Sequence, residues 1–256
     1  MSGERVSRGD VFLLLGRGVW IELLRRQDLY VCGMVMVLFL GGVLLVRLVG
    51  VDAPATGTFM LNLGLTLASL AAHIVVLLLA GRQFPDEIEN RTLYPLLARP
   101  IRRMDIVWSK WLAASCCGIA LYVVLAISAW SSVPKLEAYL ATTLVQLLVL
   151  HGLSLALLAA LAMALSLLLP RAPALVLAGA CYFGGAALRR LVGTGVPWRW
   201  FFAYMPDFGM LDLTTRYTDG VGPLAAGEWG MVLAYALCSI ALWAGVAALA
   251  FERRRI

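Results

Sequence analysis

The polar side chains set within long apolar runs are Asn62, His73, Gln146, His151 and Ser154, with Arg47 at the end of one run. Polar groups in such surroundings are functional candidates, because burying them without partners is costly. His73 and His151 could supply a bis-imidazole pair for haem or metal, which would make the chain a haem- or metal-handling integral membrane protein. The commoner role of a single histidine in such a helix is a hydrogen bond to its neighbour. His151 and Ser154 lie three residues apart on one helical face, as an intramembrane serine protease would want. No Gly-x-Ser-x-Gly elbow accompanies them, and no later apolar run holds a histidine to act as base. The sequence also contains neither His-Glu-x-x-His nor Gly-x-x-x-x-Gly-Lys-Ser/Thr, so it cannot by itself work as a zinc protease or a P-loop ATPase. None of the apolar runs carries the Asp or Glu that a proton- or sodium-coupled pump needs. The five cysteines are odd in number and all lie in apolar runs, which makes them packing residues rather than disulfide partners or zinc ligands.

These residues are positioned by an unusually apolar chain. Of 256 residues, 62% are hydrophobic and 14% charged, and the mean hydropathy is +0.88. A soluble domain is roughly 45–50% apolar and about 25% charged, so both a soluble globule and a disordered chain are excluded. Runs without Asp, Glu, Lys or Arg cover 29–46, 53–81, 111–134, 138–170, 172–188 and 229–251. A bilayer core of about 30 Å takes roughly 20 residues of helix. The reading is an all-α membrane protein with six transmembrane helices, at 29–50, 58–81, 111–133, 139–169, 174–192 and 229–251. The fifth run is short, and Arg189 and Arg190 at its end can snorkel to the headgroups. Period-2 alternation is missing, which excludes a β-barrel.

The flanks of these helices divide the basic residues unevenly. Fifteen Lys or Arg fall in 1–28, 82–110, 171–173 and 252–256, and six in 47–52, 135–137 and 189–228. The positive-inside rule puts both termini and the 82–110 segment in the cytoplasm. Acidic residues split nine to six, so the whole net charge of +6 lies on the inner face. Anionic lipid accounts for that balance, and no aromatic-rich basic groove points to nucleic acid. Residues 1–10 are polar and Val11–Leu15 is too short for a signal-peptide core, so no leader is expected.

The connecting segments are informative. Over 10–28, Asp10, Arg17, Glu22, Arg25, Arg26 and Asp28 share one half of a helical wheel, and Leu13, Leu15, Val19, Trp20, Leu23 and Leu24 fill the other. That pattern predicts an interfacial amphipathic helix. In 82–110, Phe84-Pro85 followed by Asp86, Glu87 and Glu89 predicts a fresh helix start, and Pro95 and Arg99-Pro100 predict its end. A short, stiff, charged helix is expected on the inner face within 84–103. The run 138–170 is too long for one perpendicular crossing. Pro170-Arg171-Ala172-Pro173 predicts a tight inner turn. The segment 193–228 is rich in aromatics and is expected to lie at the outer interface or to re-enter the membrane.

The stretch Asp86 to Tyr94, then Leu96-Leu97-Ala98-Arg99-Pro100-Ile101-Arg102-Arg103, then Lys110, resembles the permeases of ABC-2 type ABC transporters. Their acidic E-x-E-x-x-T run leads into LL-x-[KR]-P-[VI]-x-R and a Gly-Lys before the third helix. The subgroup it resembles is the permease of the nitrous-oxide-reductase maturation transporter, although Ser109 stands where that pattern has Gly. Glu22-Leu23-Leu24-Arg25-Arg26 and the Phe251-Glu252-Arg253-Arg254 ending also fit, so the resemblance covers the whole chain, which is one transmembrane domain over 1–256. It implies a non-enzymatic permease subunit of an exporter in a bacterial inner membrane. The subunit would pair with a second permease chain, identical or not, and be driven by two copies of a separate ATPase that holds ATP and Mg. No cofactor or metal is implied in this chain. The residues implied to couple it to the ATPase are Asp86, Glu87, Glu89, Arg91, Thr92, Arg99, Pro100, Arg103 and Lys110. Trp20, Glu22, Arg25 and Arg26 would form the face of the interfacial helix. Apolar helix faces suit a lipid-linked or amphiphilic cargo better than a free ion.

Overall fold

The structure, a computed structural model, describes residues 54–91, 102–130, 138–191 and 205–253, and among the first fifty only positions 21, 34, 37, 38, 41 and 42. Nearly all of the interfacial helix expected at 10–28, including Trp20, Glu22, Arg25 and Arg26, and of the first span at 29–50 lies outside the described residues. So do Thr92, Arg99 and Pro100.

The described chain is helical, with no strand among its residues. The elements are α1 (Pro54–Glu89), α2 (Arg103–Trp130), α3 (Ala138–Leu168), α4 (Arg171–Leu191), a 3-10 turn (Phe208–Leu211), α5 (Thr214–Thr218) and α6 (Ala226–Arg253). Among the described residues, four stretches are long and apolar enough to cross a membrane: Phe59–Glu89, Arg103–Trp130, Thr142–Leu168 and Ala226–Arg253. With the family evidence below, they make the chain a multi-pass membrane protein. The 21-residue α4 covers the expected fifth span, with Arg171 and Arg189-Arg190 at its ends.

Local sequence accounts for several helix ends. Pro54 opens α1, where its missing N–H costs nothing. Asp105 and Glu228 lie in the first turns of α2 and α6, and Arg253 in the last turn of α6, each favourable to the helix dipole. Between α3 and α4 the chain turns at Leu169-Pro170, and Arg171-Ala172-Pro173, expected within the turn, instead open α4. Leu169 N still donates to Leu165 O and Ala174 N to Pro170 O, at 2.8 and 3.1 Å.

The long charge-free run is a single helix, α3, and it is the axis of the bundle. It packs against α1, α2, α4 and α6. A helix apolar on every side has no face to offer water, and it takes the middle of the bundle. The membrane-crossing window of α3 is 83% buried, whereas that of α6 at the periphery is 28% buried. Small residues bring the other helices close. A β-carbon at Gly118 on α2 would run into Val76 Cγ2 on α1, and one at Gly81 on α1 would run into Leu175 on α4.

One expectation fails. Phe84-Pro85 does not begin a new helix: α1 runs 36 residues without interruption and carries Pro85 inside it. Proline removes one helical hydrogen bond and crowds the preceding turn. Here tertiary anchors on both sides of it outweigh that cost. Phe84 is fully buried against Phe251 of α6, with ring centroids 5.1 Å apart, and Glu87 is held by Lys110 of α2. The helix stops beyond Glu89, where Asn90 turns and Arg91 takes a left-handed conformation with φ 55°.

Candidate functional site

Two polar constructions interrupt the apolar bundle. The first is the end of α1. Glu87 forms an ion pair with Lys110, whose side chain is 3% exposed. Lys110 Nζ also lies 4.9 Å from the centroid of Phe84, a cation–π contact in low dielectric. The adjacent Asp86 forms an ion pair with Arg171 of α4 at 2.7 Å. Arg103 at the start of α2 donates to the Glu252 carbonyl of α6 at 3.3 Å. The charged end of α1 is therefore clamped to α2, α4 and α6 together. Of the residues expected to meet a partner, Asp86, Glu87 and Lys110 are engaged inside the chain. Glu89 and Arg91 are exposed at its tip. Gln83, 4% exposed, has an amide without partners among the described residues.

The second construction is a polar chamber of about 250 Å³ between α1, α3 and α4, bounded by the chain from Phe208 to Thr214. His73 Nδ1 lies 2.7 Å from the Ser69 carbonyl, which can only accept, so Nδ1 carries the proton. His73 Nε2 then accepts from Ser154 Oγ at 2.9 Å. This is the helix-to-helix hydrogen bond that the sequence offered as the plain role for a lone histidine. His151 repeats the local device, with Nδ1 3.1 Å from the Leu147 carbonyl. Its Nε2 points to Asp212 Oδ1, 3.8 Å away.

Each imidazole lies against a tyrosine. His73 stacks on Tyr182 at 4.2 Å and His151 on Tyr122 at 5.0 Å between centroids. The two imidazoles themselves are 6.3 Å apart and nearly perpendicular. So the bundle does bring His73 and His151 to one depth. The Nε2 of His73 is nevertheless committed to Ser154, and no group of three His, Cys, Asp or Glu that could hold a metal occurs among the described residues. The haem or metal reading gains no support from this geometry.

The segment 205–225 is tied down at several points. Cys181 Sγ is 3.5 Å from Met205 Sδ, and Asp207 N donates to the Tyr235 hydroxyl of α6. Asp207 Oδ1 caps the 3-10 turn through Gly209 N at 3.0 Å, and Asp212 Oδ1 caps α5 through Thr214 N at 2.9 Å. Tyr217 on α5 is 3% exposed, and burial pushes its phenol above the ordinary tyrosine range. Sequence reasoning did not single out Tyr122, Tyr182 or Asp212. A usable signal existed for the last: Asp207 and Asp212 are the two acids in an otherwise aromatic and apolar stretch.

No curated protein matches the chain significantly. Residues 19–179 match the sequence profile described as ABC-2 family transporter protein. That match takes in α1, its clamped charged end and the contact helices α2 and α3, more than half of the chain. By this evidence the chain belongs to the ABC-2 transporter family, whose members are membrane components of transport systems and not themselves catalytic.

Proposed function

We propose that the chain is the permease subunit of an ATP-driven exporter in a bacterial inner membrane, working as a dimer with two copies of a separate ATPase. The observation that carries this reading is the unbroken α1, which leaves its membrane-spanning part as a charged rod and is fastened there to α2, α4 and α6. A push on a continuous helix is transmitted along its length, whereas a hinge would absorb it. Buried and half-buried pairs keep their geometry better than solvated ones, so the clamped helices would move as a block. In this reading Asp86, Glu87 and Lys110 are the wiring of the lever. Glu89 and Arg91 at its exposed tip belong to the surface that meets the ATPase. The fifteen basic flanking residues support a cytoplasmic position for that tip. ATP and Mg are held by the partner, and the chain supplies the pathway.

The test is capture of a P-loop ATPase, encoded beside this chain, by the tagged chain in detergent. Capture is expected for the native chain and lost for Glu89→Lys with Arg91→Glu, a change of two exposed side chains that leaves the melting temperature unmoved. Equal capture by both would sink the docking surface. A cysteine at position 89 that reacts with an impermeant reagent from outside intact cells would sink the orientation.

A further inference from the structure

We propose that the polar chamber binds a small organic cation, a primary or secondary ammonium on an apolar body, whose N–H groups bridge His151 Nε2 and the Asp212 carboxylate.

The argument begins with two facing acceptors. His151 Nδ1 carries its proton toward the Leu147 carbonyl, so Nε2 of the neutral ring presents a lone pair. Opposite stands Asp212 Oδ1, also an acceptor, at 3.8 Å, too far for a direct hydrogen bond. His151 is 3% exposed and its Nε2 has no hydrogen bond among the described residues. Such an arrangement is satisfied by a donor placed between the two. An ammonium nitrogen making bonds of about 2.8 Å to each fits across that gap and adds charge assistance on the carboxylate side.

The surroundings select for the same ligand. Among the described residues, Asp212 is the one charged side chain on the chamber wall, and no Lys or Arg lines it. Arg216 of α5 is turned to the Gly222 carbonyl at 3.2 Å. An anion would meet repulsion from Asp212 with no cation among the described lining residues to offset it. A bare metal ion would find two ligand atoms and no third His, Cys, Asp or Glu in a ligating group among the described residues. Tyr182 and Phe208, with ring centroids 5.2 Å apart, and the adjacent Phe183 supply aromatic surface that attracts cations. Leu70 and Leu211 take the apolar body. The volume, about 250 Å³, lies below the roughly 300–1,000 Å³ of drug-sized pockets, which sets the ligand as small.

This inference goes beyond the permease reading and does not need it, since binding involves no ATPase. The full chain in lipid nanodiscs, near neutral pH, is titrated calorimetrically with phenethylammonium and with phenethyl alcohol, its neutral counterpart, against empty nanodiscs. Saturable binding of one ammonium per chain is expected, with the alcohol roughly ten- to a hundredfold weaker, the worth of a hydrogen bond to a charged group. Asp212→Asn should weaken the ammonium by a similar factor, because asparagine still caps α5 but carries no charge. His151→Leu should also weaken it. If either variant fails to fold, the two ligands on the native chain decide the matter. The proposal is overturned by no saturation at millimolar ligand, by equal binding of alcohol and ammonium, by unchanged binding in Asp212→Asn, or by uptake of Zn²⁺ without uptake of ammonium. A negative result leaves the lever and its ATPase partner untouched.

Discussion

Lys110 of α2 reaches across to Glu87 of α1 and closes an ion pair that is almost sealed on the lysine side, 3% exposed, and open on the glutamate side, 30% exposed. The asymmetry sets what each truncation does. Lys110→Met takes its ammonium away from the half-buried Glu87 carboxylate, whereas Glu87→Gln takes a carboxylate away from the more deeply buried ammonium, the one that lies over Phe84. Breaking a buried pair costs about 3–5 kcal/mol, and the partial exposure of Glu87 lowers that to roughly 1–3 kcal/mol. We expect Glu87→Gln to lower the melting temperature more than Lys110→Met. The double variant should recover most of the loss. Thermal melts of the purified chain check the order, and additive losses in the double variant would show that the two residues are not coupled.

A β-carbon at Gly118 on α2 would clash with Val76 Cγ2 on α1. Valine is stiff in a helix and cannot swing its methyl aside. Gly118→Ala should therefore cost about 1–3 kcal/mol by overpacking, despite the better helix propensity of alanine. Val76→Ala should relieve it in the double variant. A stabilised Gly118→Ala would mean that the helices stand further apart than described.

Much of this architecture is legible in charge spacing alone. The run 138–170 becomes α3 and the run 229–251 becomes α6, with ends that differ by a few residues. Charge-free length is a physical requirement of the bilayer, so it survives translation into structure. The reading of Pro85 does not survive, because proline's local preference for a helix start is weaker than the long-range contacts of Phe84 and Glu87. Those contacts join residues that are far apart in sequence, and no local pattern announces them. The chamber was half legible: His73, His151 and Ser154 are conspicuous in apolar runs. Their tyrosine neighbours and Asp212 are brought in by packing, and only the fold shows which atoms of the histidines remain open.

Tyr217 tests the 205–225 segment from its buried side. Its hydroxyl has no partner among the described residues. A buried hydroxyl without a partner adds no stability, so Tyr217→Phe should be neutral or stabilising, within about 1 kcal/mol. The native phenol is raised by burial, so the folded chain keeps its proton where the unfolded chain has released it. Below the ordinary tyrosine pKa of about 10 this adds no cost, and stability is lost as pH rises from there toward the folded value. Alkaline melts should thus separate the two chains, with only the native one losing stability to this group. A Phe variant that melts well below the native chain at neutral pH would reveal a partner for the hydroxyl.

Gln146 of α3 offers the sharpest test of how the segment over the chamber is held. Its amide meets both backbone groups of one residue: Leu224 N donates to Oε1 at 2.8 Å, and Nε2 donates to the Leu224 carbonyl at 3.3 Å. Such pairing copies a strand ladder with a single side chain, and it fixes the chain just before α6 begins at Ala226. Gln146→Leu keeps the volume and removes both bonds, leaving a backbone N–H and C=O to find water. The Leu224 amide is the reporter. Hydrogen exchange followed by mass spectrometry should show faster exchange over 219–226, by roughly ten- to a hundredfold for the loss of two hydrogen bonds of about 1 kcal/mol each. Exchange within α3 itself should be unchanged, since its own backbone ladder is intact. Gln146→Glu discriminates further: it can accept from Leu224 N but, ionised, cannot donate to the carbonyl, and should fall between the two. If exchange over 219–226 is the same in all three chains, the latch is not what holds this segment in place.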